Sequence, residues 1–415
     1  MALMSIEEAR PTPAPGGGPA LFALGFRPFY LLAAAFAAVA VPAWVAAQAG
    51  WPLPARIDML WHVHEMVFGF ALAVVVGFLY TAGYNWTNLW TPRGWPLAAI
   101  AGVWVAGRVA MLAAPPVVAA AVDVGFLPIA AVPLYRVLKQ SGNRRNLFLV
   151  GLLALLTLAN ACYHAAVLGW ARVNPLTPVH AAIMLIVVME IVIGGRVIPM
   201  FTRNAVPDAQ PVQDARRDRW ALALTVLAGV AWTFAGAPAA GSPAAGSPAA
   251  GSPAGLPTPV TASLAVFAAV GQGVRLIGWQ PWRTWRNPLL WMLHVSYCWI
   301  PLGFLLLALA QFGIIGVSAA LHVLTVGALA GLIMGMITRT ALGHTGRPLR
   351  AGRGECLMFV LVQAAVVLRF AAAVLPSWRT TCLVLATACW SAAFLAYLAV
   401  YVPYLSARRV DGREG

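Results

Sequence analysis

WHVHEMVFGFALAVVVGFLYTAGYNW, Trp61–Trp86, is the stretch whose reading decides the fold. About 24 mostly apolar residues in a helix are long enough to cross the hydrocarbon of a bilayer. Yet this span opens with three ionisable groups, His62, His64 and Glu65. Such groups inside a span are costly, so they have partners and a task. At about 100° per residue, His62 and His64 point roughly 200° apart. One helix can therefore serve two centres, or one centre and a supporting partner. Glu65 lies about 60° from His62 and is expected to orient it. Gly69, Ala73 and Tyr80 continue the His62 face, which predicts small residues and room beside that histidine. The blander alternative is a polar cluster that only pairs helices by hydrogen bonds. His-x-His-Glu in an apolar span favours ligation over it.

Working outward, the same pattern fills the chain. Of 415 residues, 61% are hydrophobic and 9% charged, and mean hydropathy is +0.81. Soluble domains carry about 25% charged residues. The expected fold is all-α: a polytopic membrane helix bundle of about twelve transmembrane helices. The spans are predicted at Pro28–Gln48, Asp58–Thr81, Leu97–Ala113, Val117–Leu138, Leu147–Gly169, Val179–Pro199, Trp220–Gly236, Val260–Ile277, Leu289–Ala310, Ile315–Thr338, Cys356–Leu375 and Cys382–Val402. Residues 1–26 read as a loose cytoplasmic tail, 27–403 as the membrane domain and 404–415 as a second cytoplasmic tail. Ala240–Gly255, AGSPAAGSPAAGSPAG, has no apolar face to bury and reads as a disordered outer loop. The net charge of +15 is spread over short loops without a basic block, so nucleic acid is not an expected partner. The five cysteines form no C-x-x-C pair, which argues against a disulfide framework or a thiolate zinc site.

Basic residues set the orientation. The connections after spans 2, 4, 6, 8 and 10, with both tails, hold about 22 of the 27 Lys and Arg. The odd connections hold only Arg56, Arg172 and Arg379, while Arg108 and Arg369 fall within spans. By the positive-inside rule both termini are cytoplasmic and Ala240–Gly255 lies outside. The expected location is a membrane crossed many times. Arg108 and Asp123, on neighbouring spans, are candidates for a buried pair.

That orientation assigns a depth to each histidine. His62, His64, His164, His180 and His322 all fall in the outer half, on four helices. His294 lies on the inner side and is balanced between a helix-pairing hydrogen bond and a supporting role. His344 is placed in a cytoplasmic loop, which it is expected to organise. In the tenth span, Gly327, Gly331 and Gly335 form a small-residue ridge that permits close helix approach. His322 lies roughly 140–220° away from the ridge, facing a cavity or cofactor. Imidazoles from several helices at one depth suit haem iron or copper. Arg56, Arg172 and Trp61 are candidates to meet haem propionates, though Trp61 reads more readily as an interface anchor; Asn160 is a candidate to orient His164, and Glu65 to relay protons. Met184, one turn after His180, reads more readily as core than as a ligand. Glu190 lies near mid-membrane.

GFRPFYLLAAAFAAVAVPAW (Gly25–Trp44), WHVHEMVFGFALAVVVGFLYTAGYNWT (Trp61–Thr87), GGRVIPMFTRN (Gly194–Asn204) and LHVLTVGALAGLIMGMITRTALGHTGRPL (Leu321–Leu349) resemble the NnrS family. These are membrane proteins associated with nitric oxide metabolism and with haem and copper. The resemblance implies twelve spans in a bacterial inner membrane and a link to nitric oxide response, nitrosative-stress protection or denitrification. It implies haem, of the b type, and copper as cofactors. Nitric oxide would be the small ligand, membrane lipids the surroundings, and the electron donor is unnamed. The chain lacks the adjacent His-His pair and late His-x-His of haem–copper oxidases, which speaks against oxidase or reductase turnover. The competing reading is a transporter of a metal, haem or small solute, to which twelve Gly/Pro-interrupted spans are also suited.

Overall fold

The computed structural model describes residues 19–235 and 257–414; the predicted loop Ala240–Gly255 and most of the N-terminal tail lie outside them. Twelve long helices follow one another, with no strand among the described residues. They are α1 Phe26–Gln48, α2 Met59–Thr87, α3 Trp95–Ala113, α4 Pro116–Gln140, α5 Leu147–Val167, α6 Leu176–Ala205, α7 Ala215–Ala235, α8 Thr258–Gly278, α9 Pro288–Gln311, α10 Val317–His344, α11 Arg353–Val374 and α12 Arg379–Ser406. All except α7 are long and apolar enough to cross a membrane. The described part of α7 begins with Arg216, Arg217, Asp218 and Arg219, which dilutes its apolar run.

Local chemistry explains the boundaries. The Asp58 carboxylate accepts the Trp61 N–H at 2.7 Å and starts α2 just before its histidines. The helix stops at Asn88, in the left-handed conformation with φ 55° that Asn tolerates. Proline stands in the first turn of α3, α4, α8 and α9, where its missing N–H is no loss.

The most buried helices are α2 and α10, with 83% and 72% of their apolar windows inside the bundle. They form its centre. α1 packs on α2 and also on α12, so the start and end of the chain close on each other. Phe26 is fully buried in the region predicted as tail, and Arg27 donates to the Leu405 and Ala407 carbonyls at 2.9 and 2.7 Å. Large apolar side chains such as Val109, Leu158, Phe267 and Val360 face outward, as lipid-facing surfaces require.

Both central helices contain a π-helical stretch, and each begins just after a histidine: Glu65–Ala71 after His64, and Val323–Ala330 after His322. Such widened turns are rare and recur at functional sites. The extra residue per turn shifts the helix face. His62 therefore shares its side with Met66 and Phe70, not with the expected Gly69. Gly69 instead faces Arg108, and its carbonyl accepts the Trp104 indole N–H at 3.0 Å.

Gly327, Gly331 and Gly335 all face α9. A Cβ at Gly327 would lie 2.6 Å from Trp299, one at Gly335 would lie 2.7 Å from Leu293, and one at Gly331 would overlap Ser296. The small-residue ridge is thus a close helix contact, and His322 faces away from it.

Candidate functional site: two histidine clusters on one helix

The two histidines of α2 enter different sites. His64 is fully buried and turns toward α4 and α5. Its Nδ1 lies 3.1 Å from Glu65 Oε1, and its Nε2 lies 3.0 Å from Asn160 Oδ1 and 3.1 Å from Asp123 Oδ2. The same Asp123 oxygen accepts from Asn160 Nδ2 at 2.7 Å and lies 3.0 Å from His164 Nε2. Arg108 joins both carboxylates: it donates to Glu65 Oε2 at 2.6 Å and to Asp123 Oδ1. Four helices contribute, and every one of these groups is buried.

This arrangement has a chemical consequence. Both ring nitrogens of His64 face oxygen acceptors, so a neutral ring leaves one lone pair pointing at an oxygen. A second ring proton or a metal cation relieves that repulsion. One nitrogen of His64, one of His164 and one Asp123 oxygen lie within 4.8 Å of one another. Two imidazoles and a carboxylate form a donor set for copper, zinc or iron. The residues present fit a metal ion.

His62 faces a cleft between α1, α2, α6, α10, α11 and α12. Trp44 stacks on its ring at 4.1 Å, and the His322 ring stands nearly parallel to it, 12° between planes, with centroids 6.5 Å apart. His180 lines the same cleft, its ring 4.7 Å from that of Trp232. The other walls are mostly apolar, and about 1000 Å³ there is unfilled by protein, part of it open to the outside. His62 Nδ1 is buried without a hydrogen-bond partner among the described residues. His322 Nδ1 lies 2.6 Å from the Ser318 carbonyl, to which it donates; this leaves Nε2 with its lone pair free. Arg369 lines the cleft and donates to Ser318 Oγ at 2.9 Å. Apolar walls, imidazoles with free lone pairs and a guanidinium fit haem, an apolar disc with two carboxylates.

Several expectations are corrected. Glu65 orients His64, not His62, because its two oxygens are taken by His64 and Arg108. Asn160 bonds Asp123 and His64 rather than His164. Arg56 is exposed and donates to the Ala114 carbonyl, and Arg172 is exposed; neither lines the cleft. The arginine that does is Arg369. The Arg108–Asp123 pair is present. His294 bonds Thr202 across helices at 2.9 Å, and Met184 is buried in the core. His344 ends α10, where its carbonyl accepts from Arg409 at 3.1 Å. Asp123 and Arg369 carried one signal in the sequence, a charge within an apolar span, but nothing there tied either to a histidine.

The profile of one family, described as NnrS protein, matches residues 20–409, nearly the whole described chain. The chain belongs to the NnrS family. No curated protein matches it. Membership agrees with the multi-pass helical architecture and ties this NnrS protein to the nitric oxide response. The second and fourth motifs that carried the resemblance, Trp61–Thr87 and Leu321–Leu349, contribute His62, His64 and His322 to the two clusters.

Proposed function

We propose that this NnrS protein is a haem- and copper-binding membrane protein that binds nitric oxide in nitrosative-stress protection. Haem, of the non-covalent b type, would be held in the cleft by His62 and His322, with His180 on its wall. Copper would be held by His64, Asp123 and His164. The observation that carries this reading is the divergence of His62 and His64, two residues apart, into an open apolar cleft and a compact charged cluster. When bound, the two groups supply redox-active metals able to take up nitric oxide.

The chain's own residues do the rest. Ser318 fixes the His322 ring so that its other nitrogen faces the cleft. Arg369 meets propionate carboxylates. Glu65 and Arg108 hold His64 and Asp123 in place, and Glu65 is the carboxyl nearest the copper cluster through which a proton could be relayed. Both termini face the cytoplasm of a bacterial inner membrane, which puts both clusters in the outer half of the bilayer. Nitric oxide is small and apolar, so it reaches them through lipid. The unnamed electron donor is not needed for binding, and binding exceeds turnover in this reading.

The test is the visible spectrum of the purified, reduced protein with and without nitric oxide. A haem spectrum that shifts on addition, with slow or no consumption, supports the proposal. An unshifted haem spectrum defeats the binding claim. Absence of haem and copper would favour the transporter reading.

A further inference from the structure

Glu190 lies on α6 about 15 Å along the helix from His180. Both of its carboxyl oxygens are sealed from solvent and have no hydrogen-bond partner among the described residues. It lines a groove of about 650 Å³ between α1, α2, α6, α9 and α10 whose other walls include Phe78, Ile193, Leu293 and Met336. Leu329 lines both this groove and the histidine cleft. An ionised carboxylate with no partner in such surroundings is far costlier than the neutral acid.

A polar thread approaches Glu190 from the opposite end of the bundle. Asp218, at the charged start of α7 and 23% exposed, accepts the Arg275 Nε–H at 3.0 Å. Arg275 Nη1 donates to the Ile191 carbonyl at 3.0 Å and to the Tyr297 hydroxyl at 3.1 Å. Tyr297 donates to Gln272 Oε1 at 2.6 Å, and its ring packs beside Gly194, which lines the same groove as Glu190. Arg275 thus holds the carbonyl of the residue directly after Glu190. Gly195 makes this possible, because a Cβ there would overlap the guanidinium.

We propose that Glu190 is a proton-binding site in the membrane interior, filled from the face that carries Asp218 and Arg275 and adjoining the histidine cleft at Leu329. It rests on the cofactor reading only for what finally accepts the proton. The exchange moves no electrons. The O–H bond of the Glu190 acid breaks as one forms on a water molecule, and the carboxylate takes a new proton from hydronium arriving on the Asp218 side. The titratable and charged groups around it are Tyr30 from α1, Asp218 from α7, Arg275 from α8 and Tyr297 from α9. The groove walls from α2 and α10 are apolar.

The test treats the purified full chain with dicyclohexylcarbodiimide, which reacts with protonated carboxyls in apolar surroundings, followed by peptide mass spectrometry. The expected result is an adduct on Glu190 but none there from a water-soluble carbodiimide. Failure of dicyclohexylcarbodiimide to label Glu190 overturns the proposal and needs no variant. Infrared spectra give a second readout: a protonated-carboxyl band should disappear in Glu190→Gln, and its shift in heavy water should slow at least several-fold in Asp218→Asn. A band that survives in Glu190→Gln overturns the site, and an unchanged exchange rate in Asp218→Asn overturns the entry route. Metal-stripped protein should give the same labelling, so failure here and failure of the cofactor reading are distinguishable.

Discussion

Replacing Arg108 by Met should be among the most damaging single changes in the membrane domain. Its guanidinium is 7% exposed and stands between Glu65 and Asp123, whose side chains are 1% and 2% exposed. Without it two buried carboxylates keep only uncharged partners, the Asn160 amide and the imidazoles of His64 and His164, and no fixed positive charge. Removing one partner of a buried ion pair costs about 3–5 kcal/mol, because the surviving charge is left uncompensated. The lower figure already lowers the folded-to-unfolded ratio more than 100-fold. The assay is reversible SDS-induced unfolding of the purified protein in mixed micelles, compared with wild type. The triple change Arg108→Met, Glu65→Gln and Asp123→Asn should recover much of the loss, since it leaves no unpaired charge. A loss below about 1 kcal/mol for Arg108→Met, the value of a solvent-exposed pair, would refute a closed, dry network. So would a triple variant less stable than the single.

Gly331→Leu should destabilise by about 1–3 kcal/mol or more in the same assay, because any side chain there overlaps Ser296 of α9; wild-type stability would deny the close α9–α10 contact. Arg369→Ala should speed haem transfer to apomyoglobin by roughly 10- to 100-fold, the worth of a charge-assisted hydrogen bond, while Arg369→Lys loses less; an unchanged rate would remove Arg369 from the site. Asp411, outside the spans, is held below its ordinary value of 3.8 by hydrogen bonds from Arg409. A depressed carboxyl stabilises above its unfolded value and loses that stabilisation as pH falls toward the folded one. The C-terminal segment should therefore resist a protease at neutral pH and become more susceptible only as pH drops below about 4; pepsin digestion across pH 2–5, set against Asp411→Asn, would expose a contrary trend.

Eleven of the twelve helices were legible because each carries an apolar run of membrane length; α7, with its charged start, falls short of one. The separation of His62 from His64 was legible too, since two residues turn a helix far enough to send side chains to opposite sides. The partner of Glu65 was not. Its assignment to His62 assumed regular α-helix and a free carboxylate. In the structure the backbone widens at Glu65, and Arg108 from α3 holds one of its oxygens. The register shift from Gly69 to Phe70 has the same cause, and no residue in Glu65–Ala71 announces a π-helix. Asp123 meets His164 across 41 residues of chain, and Arg369 joins His322 from a helix that comes after it. Such meetings are set by how helices pack in three dimensions, which periodicity along one helix does not encode. Arg56 and Arg172 share with Arg369 only their charge.

The central claim is that one helix serves two separate centres, and its most direct test measures haem absorbance and copper content together in His62→Ala and His64→Ala. The account predicts that His62→Ala bleaches the haem bands while copper stays, and that His64→Ala lowers copper while the haem bands stay. Loss of both signals in both variants, each shown to be folded, would place the two histidines at one centre. Retention of both signals in both would remove them from ligation altogether.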